Sequence, residues 1–309
     1  MRTKPPLSLC ILITILLLSA CTSLAPAAPI PTSLPPTHTL APTQTFTPTQ
    51  TLIPTETPLP TATPEGEIGS TWVRPQDGMV MVYVPKGTFI MGSESGEEDE
   101  QPVHEVYLDA FWIDQTEITY TMYARFDPSK YGSQPVQKLT WQQAQAYCAW
   151  AGGRLPSEAE WEKAARGTDE RTYPWGDQPP AADLVNFADL RSRQSWADVS
   201  VDDGYSEVAP VGKYPAGASP YGALDMAGNA AEWVNDWYVE NYYAFSQQAN
   251  PQGPEDGLFR VLRGGSYYTT AAGVRTTERS WYIDEGSAEY IGFRCAQSSI
   301  AAPTSFSNE

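Results

Sequence analysis

The segment Gly153-Arg-Leu-Pro-Ser-Glu-Ala-Glu-Trp-Glu162 contains the clearest helix-start signal in this 309-residue chain. Ser157 followed three residues later by Glu160 forms a capping box, in which each side chain satisfies a backbone N–H at the start of a helix. The pattern therefore predicts a helix that opens at Ser157, runs through Arg166 and ends at Gly167.

A second capping box lies just upstream and predicts the other main helix. Thr140 and Gln143 have the same spacing, and the helix should run to about Trp150 before Gly152-Gly153 stops it. Two strands, Met79–Val84 and Gly87–Gly92, flank Pro85 and are interpreted as a hairpin.

The rest of the chain gives weaker signals for secondary structure. Val106–Ile113 is a strand candidate, and a helical turn is expected near Met122–Phe126. Beyond Gly167 the many Gly, Pro and aromatic residues predict long ordered loops with few strands.

Charge limits the classes of partner. The net charge of −18 argues against nucleic acid and anionic membrane surfaces, since both require a basic face. An acidic run spans residues 94–100 and is interpreted either as a solvated loop or as a cation-binding loop. Of the two histidines, His38 lies in a Pro/Thr-rich tract, so His104 alone is left for a folded domain and a multi-histidine metal centre is excluded.

The N-terminus is typical of an exported protein. The apolar run Leu7–Leu18 is too short to span a bilayer, and Leu18-Ser-Ala-Cys21 resembles a bacterial lipobox, in which Cys21 becomes the lipidated first residue. Alternatives are an ordinary signal peptide cut nearby and an uncleaved anchor. The expected location is the outer face of the bacterial cell envelope, with membrane attachment through the lipid.

Composition divides the chain into four parts. Thr and Pro supply 24 of the 43 residues from 22 to 64, a composition that cannot bury enough apolar surface to fold. The predicted parts are a lipoprotein signal peptide (1–20), a disordered Thr/Pro-rich stalk (21–66), one compact domain (67–300) and a disordered tail (301–309).

An ordered set of motifs carries a family resemblance. The motifs are Gly87–Ser93, Pro102–His104, Gly153–Glu162, Tyr173–Asp177, Tyr221–Trp233, Arg263–Ser266 and Gly292–Cys295. Together they resemble the formylglycine-generating-enzyme, or sulfatase-modifying-factor, family over nearly all of residues 72–297. The resemblance implies an α+β fold related to C-type lectins, with two main helices, a small twisted antiparallel sheet, long loops and little regular secondary structure.

The resemblance also shows which chemistry is missing. Family enzymes oxidise a peptidyl cysteine with a copper ion held by two cysteines, and the matching positions here are Thr269 and Val274. Neither side chain offers the soft thiolate that Cu(I) requires, so copper is not expected. Related sulfoxide synthases hold iron with three histidines, which this chain lacks.

The two cysteines of the domain match a structural disulfide of the family, so the resemblance implies a Cys148–Cys295 bond. The alternative is a pair of buried free thiols.

Family members also bind calcium within their loops. The matching residues are Asp225, Gly228, Ala230 and Glu232 in one site, and Asn186, Phe187, Asp203 and Tyr205 in the other. Oxygen ligands at irregular spacing suit Ca²⁺, and the alternative is that Asp225 and Glu232 cap turns by hydrogen bonding without metal.

In the fold of this family, the concave surface near Ser266–Trp281 receives the substrate peptide. Its candidate ligand contacts are Ser266, Tyr267, Tyr268, Arg275, Arg279, Trp281 and Tyr282, for which packing is the alternative role. The leading hypothesis is a non-catalytic, surface-anchored module that binds an extracellular peptide, glycan or protein.

The alternatives are a sulfatase-modifying-factor-type oxidoreductase or a hydrolase with a different chemistry, and a structural protein of the envelope. Acid/base candidates for an enzyme are His104, Glu278, Asp284 and Glu285.

Overall fold

A computed structural model describes residues 66–129 and 132–299. The predicted signal peptide, Cys21, the stalk up to residue 65 and the tail at 301–309 lie outside the described residues. Within the described part, no helix has both the length and the apolar character needed to cross a membrane.

The described residues form an α+β fold with three helices and ten short strands. The helices are α1 (Tyr120–Tyr123), α2 (Trp141–Trp150) and α3 (Glu158–Arg166). The strands are β1 (Thr71–Val73), β2 (Val80–Val84), β3 (Gly87–Met91), β4 (His104–Leu108), β5 (Phe111–Asp114), β6 (Ala231–Trp237), β7 (Phe259–Arg263), β8 (Arg279–Ile283), β9 (Ile291–Phe293) and β10 (Ala296–Ser298). This confirms the fold class that the sequence predicts.

Three sheets carry these strands. One has the order β1-β2-β5-β10, a second pairs β3 with β4, and the third has the order β8-β7-β6-β9. The β6–β9 pair is parallel and the remaining pairs within these sheets are antiparallel.

Both predicted helices are confirmed with their caps. The Thr140 hydroxyl accepts from the Gln143 N–H at the start of α2. The Ser157 hydroxyl accepts from the Glu160 N–H at the start of α3, which ends at Gly167. The short helix α1 begins two residues before the predicted turn.

The predicted hairpin of the first two strands is wrong. β2 pairs with β1 and β5, whereas β3 pairs with β4. The physical reason is that β2 is buried on both faces, with Met81 in one core cluster and Val82 and Val84 in another, so it takes a central position in its sheet.

Two further strand predictions need correction. Val106–Ile113 is two strands, β4 and β5, which belong to different sheets. Beyond Gly167 the chain has five strands rather than few, each of three to seven residues. The partners of β9 and β10, which are β6 and β5, lie far away in sequence, and such short segments show little periodicity.

Helix α3 is buried along its whole length, although five of its nine residues are charged. Burying charge is costly unless each group has a partner. Glu158 accepts from Arg279 Nε at 2.7 Å, and Glu162 accepts from Arg263 Nη2 at 2.7 Å. Glu160 receives two bonds of 2.6 Å from Arg154. The ion pairs of Arg279 and Arg263 attach β8 and β7 to the helix.

Lys163 in the same helix has only neutral partners. Its Nζ donates to the carbonyl oxygens of Pro85 and Gly87, both at 2.8 Å, and so fixes the connection between β2 and β3. Burial without a carboxylate lowers the pKa of Lys163 to about 8.

The disulfide between Cys148 and Cys295 is confirmed. It links α2 to the residue before β10, across a sequence separation of 147 residues. Both cysteines are fully buried, and the alternative of two free thiols is wrong.

Removing this bond should destabilise the domain. Because the disulfide closes a long loop, Cys148→Ala with Cys295→Ala should lower the free energy of unfolding by about 2–5 kcal/mol. Urea unfolding of the two proteins measures the difference. As a control, reductant should destabilise the native protein and leave the stability of the double variant unchanged. Equal stability of the two proteins in oxidising buffer would contradict the prediction.

Candidate functional site

The loop with the two positions that the sequence resemblance matches to copper ligands follows β7 directly. Gly264 and Gly265 have φ of 84° and 65°, and a Cβ at Gly265 would overlap the carbonyl oxygen of Gly273. The glycine therefore permits the two ends of the loop to approach each other closely. Both candidate positions, 269 and 274, lie on this closed loop.

Both positions are occupied by structural side chains. The Thr269 hydroxyl accepts from the Ser266 N–H and donates to the Ser266 carbonyl, each at 3.0 Å, which closes a turn. Val274 is fully buried and packs with Val185, Phe187 and Ala227. A hydroxyl with both of its bonds made and a buried isopropyl group do not fit Cu(I), which requires soft sulfur ligands.

Next to this loop lies a row of aromatic rings, here called the aromatic ladder: the exposed Trp196 and Tyr268 and the half-buried Tyr290. Trp196 meets Tyr268 edge-on at 5.4 Å, and Tyr268 stacks on Tyr290 at 5.9 Å. Trp196 is 48% exposed and Tyr268 is 38% exposed. Two cavities of about 280 and 290 Å³ adjoin the ladder, and Tyr267 and Glu207 line both. Trp196 was not among the sequence candidates.

The other predicted ligand contacts lie elsewhere. Ser266 and Arg279 are buried, so neither side chain is available to a ligand in this structure. Arg275 forms ion pairs with Glu100 and Glu278. Trp281 is 46% exposed and packs on Phe259, while Tyr282 is half-buried against Trp233.

The acidic run at 94–100 is partly a structural element. The Glu100 carboxylate is buried and accepts from Arg275 Nη2 at 2.6 Å, and Asp99 accepts from the Tyr238 hydroxyl at 2.9 Å. Glu94, Glu97 and Glu98 are exposed. The solvated-loop interpretation therefore holds for these three residues, whereas the buried Glu100 is bound by the guanidinium of Arg275.

The four acid/base candidates are not brought together. Within residues 66–129 and 132–299, no hydrogen bond joins His104, Glu278, Asp284 and Glu285 to one another. His104 Nδ1 lies 3.0 Å from the Pro102 carbonyl, and Asp284 accepts from Gln142 at 2.9 Å. Burial, opposed by Arg275, raises the pKa of Glu278 to about 7.

The residues of the first predicted calcium site have other contacts. Glu232 accepts from Arg294 Nη2 and Nε, each at 2.7 Å, and from Trp161. Asp225 accepts from the Gly212 N–H at 2.6 Å. Gly228 and Ala230 lie between them in the chain, both buried.

A third carboxylate, Glu117, lies beside this pair and was missed by sequence reasoning. It is fully buried, one of its oxygens has no hydrogen-bond partner, and burial beside Asp225 and Glu232 raises its pKa well above the usual value. Its position carries no local signal, because its neighbours come from segments more than a hundred residues away.

The residues of the second predicted calcium site do lie together. The Asp203 carboxylate accepts from the backbone N–H groups of Phe187 and Tyr205, at 3.0 and 2.8 Å. Asn186 is buried beside them, and its Oδ1 has no partner. Burial raises the pKa of Asp203 to about 6. Over the described residues, no cluster of three or more His, Cys, Asp or Glu side chains is arranged to hold a metal.

Comparison with known proteins gives one consistent family. A family model described as the sulfatase-modifying factor enzyme 1-like domain matches residues 69–130 and 125–299. The chain is 33% identical to the formylglycine-generating enzyme of Streptomyces coelicolor over 288 residues, covering 72% of this chain and 90% of that enzyme.

Another relative contains a similar region within a longer protein. The chain is 33% identical over 252 residues to a serine/threonine-protein kinase pkn1 of Chlamydia caviae, covering 70% of this chain and 38% of that protein. Among solved structures, PvdO from Pseudomonas aeruginosa superposes with a TM-score of 0.66 at 23% identity, covering 75% of this chain and 99% of that one. This structural likeness concerns the fold alone.

The raised pKa of Glu278 predicts a pH-dependent effect of its replacement. Because its folded pKa is higher than its unfolded one, its stabilising contribution is complete below the unfolded value and is lost as pH rises through about 7. The stability of the native protein relative to Glu278→Gln should fall by about 1–3 kcal/mol between pH 5 and 8. Urea unfolding across this range tests it, with Glu285→Gln as the control for loss of one charge. A pH-independent difference would contradict the prediction.

Proposed function

The chain belongs to the sulfatase-modifying factor enzyme 1-like family, and from this membership we propose that it is a non-catalytic binding module of the cell envelope. Its ligand is an extracellular peptide segment, free or within a partner protein. The proposed attachment is a lipid on Cys21, followed by the Thr/Pro-rich stalk at 21–66 as a spacer from the membrane.

The observation that carries this proposal is the pair Thr269 and Val274. A copper oxidase of this family depends on two thiolates, and here one position closes a turn while the other fills a hydrophobic cluster. The fold is retained around a loop that has lost its metal ligands. Such a domain keeps the shape needed for recognition without the group that performs the oxidation.

The aromatic ladder supports a peptide as ligand. Tyr and Trp side chains provide large contact areas at low cost in conformational entropy, which is why they dominate recognition surfaces. Tyr268 is exposed while its ring is held between Trp196 and Tyr290, so it is already ordered for binding. The adjoining cavities of about 280 and 290 Å³ have room for peptide side chains.

Calcium is proposed as a structural ion at the second predicted site. Asn186 Oδ1 is a buried acceptor without a partner, and the next residue in the chain, Phe187, donates its backbone N–H to the Asp203 carboxylate. A cation would satisfy this oxygen and favour the charged form of Asp203. The first site fits less well as predicted, because Glu232 is bound by Arg294, but Glu117 and Asp225 are buried carboxylates beside it.

The calcium proposal predicts a stability effect that depends on Asn186. At a calcium concentration of 100 times Kd, an ion that binds only the folded state stabilises it by about 2.7 kcal/mol. Thermal unfolding with calcium and with a chelator measures the effect in the full chain. Asn186→Ala should abolish most of the calcium-dependent shift, and the exposed Asn241→Ala should retain it. Equal melting temperatures with calcium and with chelator would refute the proposal.

The binding proposal predicts that Tyr268 is an energetic anchor. Random heptapeptides displayed on phage are selected on the full chain, and the enriched sequences are synthesised for titration. Tyr268→Ala should weaken their binding by at least about 10-fold, as expected for a central aromatic contact. Leu258→Ala is the matched control, since Leu258 is 79% exposed and lies outside the ladder. Failure to enrich any peptide, or equal loss in both variants, would count against the proposal.

A further inference from the structure

Arg260 on β7 is held between two tryptophan rings. Its guanidinium carbon lies 3.6 Å from the ring centroid of Trp141 and 3.4 Å from that of Trp237. Its Nη1 donates to the Asn235 carbonyl at 2.7 Å, and its Nε is buried without a hydrogen-bond partner. The rings fix the position of a positive charge.

This guanidinium differs from the other shielded arginines. Those described as buried or half-buried each have a carboxylate within ion-pair distance: Arg74, Arg154, Arg166, Arg171, Arg263, Arg275, Arg279 and Arg294. Arg260 takes part in none of the ion pairs between described residues. Burial lowers its pKa to about 10, against the weaker opposing effects of Asp284 and Asp236. In a chain with 37 acidic residues, an unpaired half-buried cation is costly and calls for an anionic ligand.

The arginine lines a cleft of about 430 Å³ that is rich in side-chain amides. Gln145, Asn235 and Gln247 line this cleft, and their amide groups make no hydrogen bond to any described residue. Each amide both donates and accepts, which matches the hydroxyl groups of a sugar. None of the predicted ligand contacts and no member of the aromatic ladder lines this cleft.

We propose that this cleft binds an acidic saccharide, with the carboxylate of a uronic acid on Arg260 and its hydroxyl groups on the free amides. A charge-assisted bond from a guanidinium to a carboxylate is among the stronger polar contacts in proteins. The site is independent of the peptide surface proposed above, and its failure would leave that proposal untouched.

A peptide fits the cleft less well. β7 lies between β6 and β8, so its backbone has no free edge for a peptide strand. The large apolar side chains that line the cleft are Trp141 and Trp237, and Arg260 covers one face of each ring. The remaining lining residues are Gly253, Pro254 and polar side chains, among them the exposed carboxylate of Glu255, which disfavours any ligand of high negative charge density.

Titration calorimetry on the full chain tests this site with three probes. Two are acidic, a hyaluronan tetrasaccharide and digalacturonic acid, and the third is the carboxyl-reduced hyaluronan tetrasaccharide, which keeps the hydroxyl groups without the charge. We expect saturable binding of at least one acidic probe. Carboxyl reduction and Arg260→Gln should each weaken it by about 10- to 100-fold.

Two further variants keep the test informative if Arg260→Gln unfolds, which thermal melting would reveal. Gln145→Ala changes an exposed residue of α2 and should weaken binding by about 2- to 10-fold. Arg125→Gln removes an exposed arginine outside the cleft and should leave affinity unchanged.

Several results would overturn the proposal. These are no saturable binding of either acidic probe, equal affinity for the carboxyl-reduced probe, or unchanged binding in folded Arg260→Gln and in Gln145→Ala. Tighter binding of the peptide acetyl-Gly-Glu-Gly-amide would assign the cleft to peptides instead. Loss of saccharide binding in Tyr268→Ala alone would place the sugar on the aromatic ladder.

Discussion

The burial of helix α3 is the constraint on which the rest of the structure depends. A helix with five charged residues out of nine is stable inside a protein only if other segments supply its partners. Arg279 and Arg263 come from two adjacent strands, and the carbonyls at residues 85 and 87 come from the N-terminal half. Removing one partner of such a buried pair typically costs about 3–5 kcal/mol. The fold is therefore held together by charge pairs that cross the whole domain.

This network explains how the fold persists without copper ligands. Arg263 is fixed by Glu162, and the chain enters the loop of residues 264–274 directly after it. The position of the loop is thus set by the buried ion pair and by its glycines, whereas the positions that the sequence resemblance matches to the family's copper ligands, 269 and 274, lie on the loop itself. Thr269 and Val274 replace those side chains and stabilise the loop instead.

Local signals in the sequence predict the local parts of the structure. Capping boxes identify α2 and α3 because the cap lies within four residues of its partner. Strand pairing is not predictable in this way. β2 pairs with β5 rather than with β3 because both faces of β2 are buried in the core. Arg279 is predicted either as a ligand contact or as a packing residue, and it is buried because it pairs with Glu158, 121 residues away. The aromatic ladder and the Arg260 cleft likewise bring together residues from distant segments. The local sequence around Trp196 therefore does not predict that its ring packs against Tyr268.

The absence of the copper-dependent reaction is the central functional claim, and a direct assay tests it. A synthetic peptide carrying the cysteine of a sulfatase motif is incubated with the full chain, copper and oxygen, and formylglycine is measured by mass spectrometry. The Streptomyces coelicolor formylglycine-generating enzyme serves as the positive control. We predict an aldehyde product with the control enzyme and none with this protein. Copper-dependent conversion of the peptide by this protein, above a protein-free blank, would contradict the claim.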